Sequence, residues 1–339
     1  MKNIPRNLNI DVLRIASMFM VVVLHTSSSY FLQFHKYWSI GLFYDNLSRF
    51  SVPIFLMISG YLLLGKIEPT ENFIKKRMGK VIVPFIVWTI FYIAIDFNAW
   101  RGSHDFFSLI NRASYFHLWF IYAILFYYAL TPVLRIFISN TDRFTFKFVI
   151  FLWVLYAPIY LCLYDIKSIF IDFSPMAAQS NVDTFMALSG FYLIGGYIKK
   201  YRPHINNKSF FILSFLSLSA NFIAVYFSSV TYGGPLEVFF KYFTPFIAFF
   251  SILLFIKSCN ITFKPGRSLS KIIETLSNIC FGIYLVHAGL LPIAFKIINP
   301  EIDSFNALFT IPIISALVFL TSALICYILS KTPFLKRCI

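Results

Sequence analysis

Residues 9–30 read NIDVLRIASMFMVVVLHTSSSY, an apolar run long enough to cross a bilayer that nonetheless carries Asp11, Arg14 and His25. A hydrocarbon span takes about 20 apolar residues, and ionisable groups inside one are costly unless they face protein or water. Apolar length combined with internal charge therefore restricts this stretch to a helix whose neighbours receive a polar stripe. Arg14 and His25 lie eleven positions apart. Eleven helical residues return almost to the same face, roughly 16 Å further along the axis. Asp11, three positions before Arg14, shares that face. The stripe reads either as polar contact between helices or as a line of reactive groups.

The remainder of the chain requires the same solvent. Of 339 residues, 59% are hydrophobic and 13% charged, against about 25% charged in a soluble domain. Hydropathy places about ten spans near 8–30, 42–64, 79–97, 117–136, 144–164, 184–199, 208–228, 236–257, 275–296 and 306–329. The fold class is an all-α, polytopic membrane protein, with 1–339 one transmembrane domain and long connections around 98–116 and 165–183. Residue 14 interrupts any signal-peptide core, so the first span is expected to be retained. The net charge of +15 falls between apolar spans, a membrane pattern that does not point to nucleic acid. The five cysteines have no CxxC spacing, which predicts neither a disulfide framework nor a metal site.

Alternating the spans puts twenty-one Lys and Arg on the N-terminal side and five on the other, with Arg14, Arg49 and Lys241 inside spans. The positive-inside rule makes that side, and both termini, cytoplasmic. Arg14 then lies in the cytoplasmic third of its span. His25, Arg49, His117, Trp119, Asp183 and His287 gather at similar depth in the outer half. Lys66, Lys75, Lys76, Arg77 and Lys80 border the cytoplasmic mouth, either as plain topology signals or as a cradle for an anionic ligand.

Four stretches, in order, carry a resemblance: DVLRIASMFMVVVLH (11–25), SRFSVPIFLMISGYLLLGK (48–66), FHLWFIYAILFYYALTPVL (116–134) and FGIYLVHAGLL (281–291). They resemble the membrane-bound acyltransferase 3 family, whose Arg-x10-His signature stands here as Arg14 and His25. NVDTFMALSGFYLIGGYI (181–198) is similar to the enterobacterial common antigen O-acetyltransferase type. The resemblance implies acyl transfer, with acetyl the default, from cytoplasmic acyl-CoA to a hydroxyl of a surface glycan or lipid-linked saccharide. It implies a bacterial cytoplasmic (inner) membrane location. Partners are then acyl-CoA, the acceptor and membrane lipid, in a monomer or homo-oligomer. No metal or resident cofactor is expected, acyl-CoA being a co-substrate.

Within that reading, Asp11, Arg14, Lys76, Arg77 and Lys80 hold acyl-CoA, and His25 is the general base. Arg49 either stabilises the oxyanion or forms an ion pair with Asp45 or Asp96. His117, Trp119, Asp183 and His287 border the acceptor, although each also suits an interfacial or structural place. A covalent acyl-histidine is an alternative route. The rival functions are a transporter or flippase for a lipid-linked saccharide or small polar solute, and a non-catalytic partner of a glycan-synthesis complex.

Overall fold

The computed structural model describes residues 6–95, 109, 113–171, 181–298, 306–333 and 335–339, and every regular element among them is helical. Asp96, Arg101 and Arg112 lie outside the described residues, as does most of the connection expected over 98–116. The helices are α1 (Leu8–Phe31), α2 (Trp38–Ser48), α3 (Ser51–Leu63), α4 (Thr70–Ile95), α5 (Trp119–Asn140), α6 (Arg143–Val154) and α7 (Cys162–Phe170). They continue as α8 (Asn181–Tyr201), α9 (Asn207–Tyr232), α10 (Pro245–Asn260), α11 (Arg267–Ile298) and α12 (Ala307–Lys331). A π-helical segment, Leu155–Leu161, joins α6 to α7, and short 3-10 turns occupy Val238–Phe240 and Leu335–Cys338.

Local chemistry sets several boundaries. Asn7 caps α1 by accepting from the Asn9 amide at 3.1 Å, and Asn206 caps α9 by accepting from Ser209 at 2.8 Å. Gly233, at φ 77°, ends α9 in the left-handed conformation. The span expected over 42–64 is instead two helices that meet at Arg49 and Phe50. Pro53 explains the break. It lacks the amide that would bond the Arg49 carbonyl four residues earlier, and its ring crowds that carbonyl.

Nine segments among the described residues are long and apolar enough to cross a membrane, counting α2 with α3, α6 with α7, and the 238–240 turn with α10. The tenth expected span is α8. Its 21 residues extend about 31 Å, but it is less apolar than the nine. It is enclosed by protein, with Ala187, Leu188, Phe191 and Tyr192 fully buried.

Two cores flank α1. One joins α3, α5, α6, α8 and α10 around Met57, Tyr127, Trp153, Tyr192 and Phe255. The other joins α1, α11 and α12 to α4 and α5 around Met18, Val22, Ile283 and Ile314. Lipid is as apolar as leucine, so such bundles are held by close packing and polar contacts between helices. The buried Asn221 amide, for example, donates to Asn46 Oδ1 at 2.7 Å, joining α9 to α2.

Candidate active site

A cavity of about 390 Å³ lies between the two cores, and its walls come from α1, α3, α4, α5, α11 and residue Tyr242. Arg14, Lys66, Arg77 and Lys80 line it in the first halves of α1 and α4 and just past the end of α3. His25, His117, Trp119 and Tyr242 line it as well. Along α1, Arg14 and His25 are roughly 16 Å apart, so the cavity is long in the direction of the helices. Apolar side chains, among them Val21, Leu24, Phe55 and Ile58, wall it in between.

The cationic end is built by fixed partners. Arg14 Nη1 donates to Asp11 Oδ1 at 3.0 Å and to Ser277 Oγ at 2.6 Å, and Ser277 donates to the same carboxylate oxygen at 2.6 Å. Arg6 Nε donates to Asp11 Oδ2 at 2.5 Å. Asp11 therefore has both oxygens engaged by protein and does not line the cavity; it orients Arg14. The buried Arg77 Nε has no hydrogen-bond partner among the described residues. Burial and the neighbouring Arg77 lower the Lys66 ammonium from its ordinary value. Burial pushes the Glu68 carboxyl up, but the Arg135 guanidinium at 3.0 Å outweighs it and holds Glu68 below the usual range. No carboxylate lines the cavity among the described residues, so this crowd of cations is suited to an anion supplied from outside. Lys76 is exposed and stands away from the cavity lining, and Lys75 pairs with Glu71 at 2.6 Å.

At the other end, His25 is half-buried and makes no hydrogen bond among the described residues. Ring contacts hold it: Phe116 edge-on at 4.9 Å between centroids, and His287 stacked at 5.4 Å. His287 is fully buried, and its Nδ1 pairs with the Tyr284 carbonyl at 2.7 Å. In neutral form that contact makes Nδ1 the protonated nitrogen. Its Nε2 has no partner among the described residues. His117, 1% exposed, sits 5.2 Å from His287 and from Tyr284, and 5.1 Å from Tyr92, and Tyr284 donates to its carbonyl oxygen. The described residues include no group of three or more His, Cys, Asp or Glu placed to hold a metal ion.

The outer-half gathering expected from depth is thus partly assembled. His25, His117 and His287 meet, and Trp119 joins His25 and His117 on the cavity wall. Asp183 is exposed at the start of α8, away from that wall. Arg49 stands outside the wall too. It pairs with Asp45 one helical turn earlier, with Glu237 at 3.4 Å, and lies 4.5 Å from the Phe240 ring. Asp45 also accepts from Ser28 at 2.8 Å, tying the pair to α1.

Tyr242 was not among the expected site residues. It belongs to a non-helical stretch between the Val238–Phe240 turn and α10. Irregular backbone at membrane depth is tolerated only where protein buries it or it faces a cavity. The Thr244-Pro245 pair, which starts a helix in the middle of an apolar run, was the visible signal for such a stretch. Lys66 had been grouped with the basic segment but not assigned to the ligand, and it lines the cavity beside Arg77.

These features define a class: a multi-pass helical membrane protein whose internal cavity runs from a cationic mouth to a histidine cluster. The family is more specific. A family model described as an acyltransferase domain (Acyl_transf_3) matches residues 7–331, and the chain belongs to this acyltransferase 3 family. Comparison with curated proteins and with solved structures gives no match. Family membership makes the chain a membrane acyltransferase.

Proposed function

We propose that the protein transfers an acyl group, by default acetyl, from cytoplasmic acyl-CoA to a hydroxyl of a glycan or lipid-linked saccharide. The enterobacterial common antigen type of acceptor is the finer expectation, and a bacterial inner membrane the expected location. The observation that carries this reading is one cavity lined by Arg14, Lys66, Arg77 and Lys80 and also by His25, with an apolar wall between. Phosphates of CoA match the cations, the thin pantetheine arm matches the apolar passage, and the thioester would stand beside His25.

In the proposed reaction His25 accepts the acceptor's hydroxyl proton as the oxygen adds to the thioester carbon. The tetrahedral intermediate collapses, expelling the CoA thiolate, which takes the proton from the imidazolium. The products are an ester and CoA thiol, with no covalent enzyme intermediate. A ring free of other hydrogen bonds, facing a cavity, suits a group that must exchange protons with two substrates. Trp119 and His117, both on the cavity wall, border the acceptor's side, with His287 packed behind them.

Purified protein in lipid nanodiscs, given acetyl-labelled acetyl-CoA and a membrane extract as acceptor source, tests this. Wild type is expected to release CoA and label a glycan or glycolipid. His25→Ala is expected to lose about 100-fold or more of that rate while still binding acetyl-CoA. Equal transfer by His25→Ala would overturn the assignment of the base. A folded wild type that neither binds acetyl-CoA nor releases CoA would overturn the donor and favour transport.

A further inference from the structure

Arg49 is a buried cation close to the reaction chamber, yet it does not wall it. Between Arg49 and the chamber stands Tyr242. Its ring centroid lies 5.8 Å from the Arg49 guanidinium carbon, and Tyr242 itself lines the cavity. Trp119, another cavity residue, stacks on Tyr242 at 5.9 Å and 24° between planes. Contacts with the Trp119 ring and the Arg49 cation hold the Tyr242 ring in place.

The direction of the phenol's proton follows from the donor inventory. A guanidinium has five N–H donors and no acceptor, whereas a tyrosine hydroxyl both accepts and donates. In any hydrogen bond between them Tyr242 must accept, so its own O–H is left to donate elsewhere. Where Arg49 donates to the phenol oxygen, its charge makes the remaining O–H a stronger donor. Asp45 and Glu237 pair with Arg49 and hold the guanidinium beside the phenol.

We propose that Tyr242 is the catalytic hydrogen-bond donor to the tetrahedral oxyanion, and that Arg49 acts through it as a positioning residue. This rests on the acyl-transfer reading above. As the acceptor oxygen adds to the thioester carbon, the carbonyl electron pair moves to its oxygen. Tyr242 O–H bonds that oxygen and keeps its proton, and when the carbonyl reforms the CoA thiolate leaves. A donor fixed in a water-poor chamber before reaction begins supplies its stabilisation without reorganisation, and losing one such donor costs about 100-fold to 1000-fold in kcat.

The test is a double-mutant cycle with Tyr242→Phe and Arg49→Lys in nanodiscs, with labelled acetyl-CoA and membrane extract as substrates. Tyr242→Phe removes one oxygen and keeps the ring against Trp119. It is expected to lower kcat about 100-fold with acetyl-CoA affinity and size-exclusion profile unchanged. Arg49→Lys is expected to lower kcat in wild type but to have little further effect in Tyr242→Phe, because its route of action is already gone. A Tyr242→Phe protein with wild-type kcat, or effects of the two changes that multiply fully, would overturn the inference while leaving acyl transfer intact. A folded wild type without CoA release would instead overturn the acyl-transfer reading, and this role with it.

Discussion

Asp45 and Arg49 are 0% and 8% exposed, and what each contributes depends on the other. Two charges in a bundle interior repay their desolvation only with good geometry and further hydrogen bonds. Here the carboxylate receives Arg49 and Ser28, and the guanidinium also reaches Glu237. Removing Asp45 leaves Arg49 with Glu237 as its one carboxylate partner among the described residues, at 3.4 Å and with that carboxylate's side chain 44% exposed. Asp45→Ala is therefore expected to destabilise the folded protein by about 3–5 kcal/mol, read as a lower melting temperature in detergent. Asp45→Asn, which keeps a carbonyl acceptor for Ser28 and Arg49, is expected to cost less. Equal melting temperatures for Asp45→Ala and wild type would show that the pair has no structural weight. The partner was legible in the sequence because Asp45 and Arg49 stand one helical turn apart. Tyr242 was not, since no local pattern links it to a residue nearly two hundred positions earlier. For the same reason Asp183 could be given a depth but not a direction, and it is exposed and does not line the cavity.

At the level of helices, the sequence showed where apolar length lay but not how closely the segments approach. The α3–α8 pair illustrates the gap. A Cβ on Gly60 would lie 1.9 Å from the Tyr192 carbonyl oxygen, and one on Gly195 would lie 2.1 Å from that of Met57. These two glycines face each other's backbones, and the obstacle is main chain that cannot rotate away. Small residues at such crossings let helices without a hydrophobic drive pack at close range. Gly79 on α4 meets nothing within 4 Å. Gly60→Ala is expected to force the helices apart, at a cost of about 1–3 kcal/mol or more. Gly79→Ala is expected to be neutral or to gain about 0.5–1 kcal/mol, since it removes only a weak helix former. Thermal unfolding of the two variants in one detergent decides this, and similar losses for both would refute the close crossing. The break between α2 and α3 was also written in the sequence, as Pro53 inside SVPIF, but a hydropathy window averages over it.

For the whole molecule, the decisive quantity is parity. Nine crossings would leave the two termini on opposite sides of a membrane, whereas ten return the chain to the side it started from. The geometry favours ten, with α8 as the additional crossing. Arg6 reaches the Glu274 carbonyl at 3.3 Å, which puts the start of α1 beside the start of α11. α12 runs opposite to α1, with Ile311 clustered with Tyr30 and Phe319 against Phe19, so the end of α12 at Lys331 lies toward that same end. The start of α1 and the end of α12 thus share one end of the bundle, together with Lys66, Arg77 and Lys80 at the mouth of the cavity. The excess of basic residues assigns that end to the cytoplasm, where acyl-CoA would enter. This orientation can be read with a membrane-impermeant maleimide on a variant whose five native cysteines are replaced. In intact spheroplasts, Lys75→Cys and Lys331→Cys are expected to stay unlabelled until the membrane is opened. Gly234→Cys, beyond the outer end of α9, is expected to label at once. Labelling of Lys331→Cys from outside with Lys75→Cys protected would restore odd parity, demote α8 from the membrane-crossing set and separate the end of α12 from the cytoplasmic mouth.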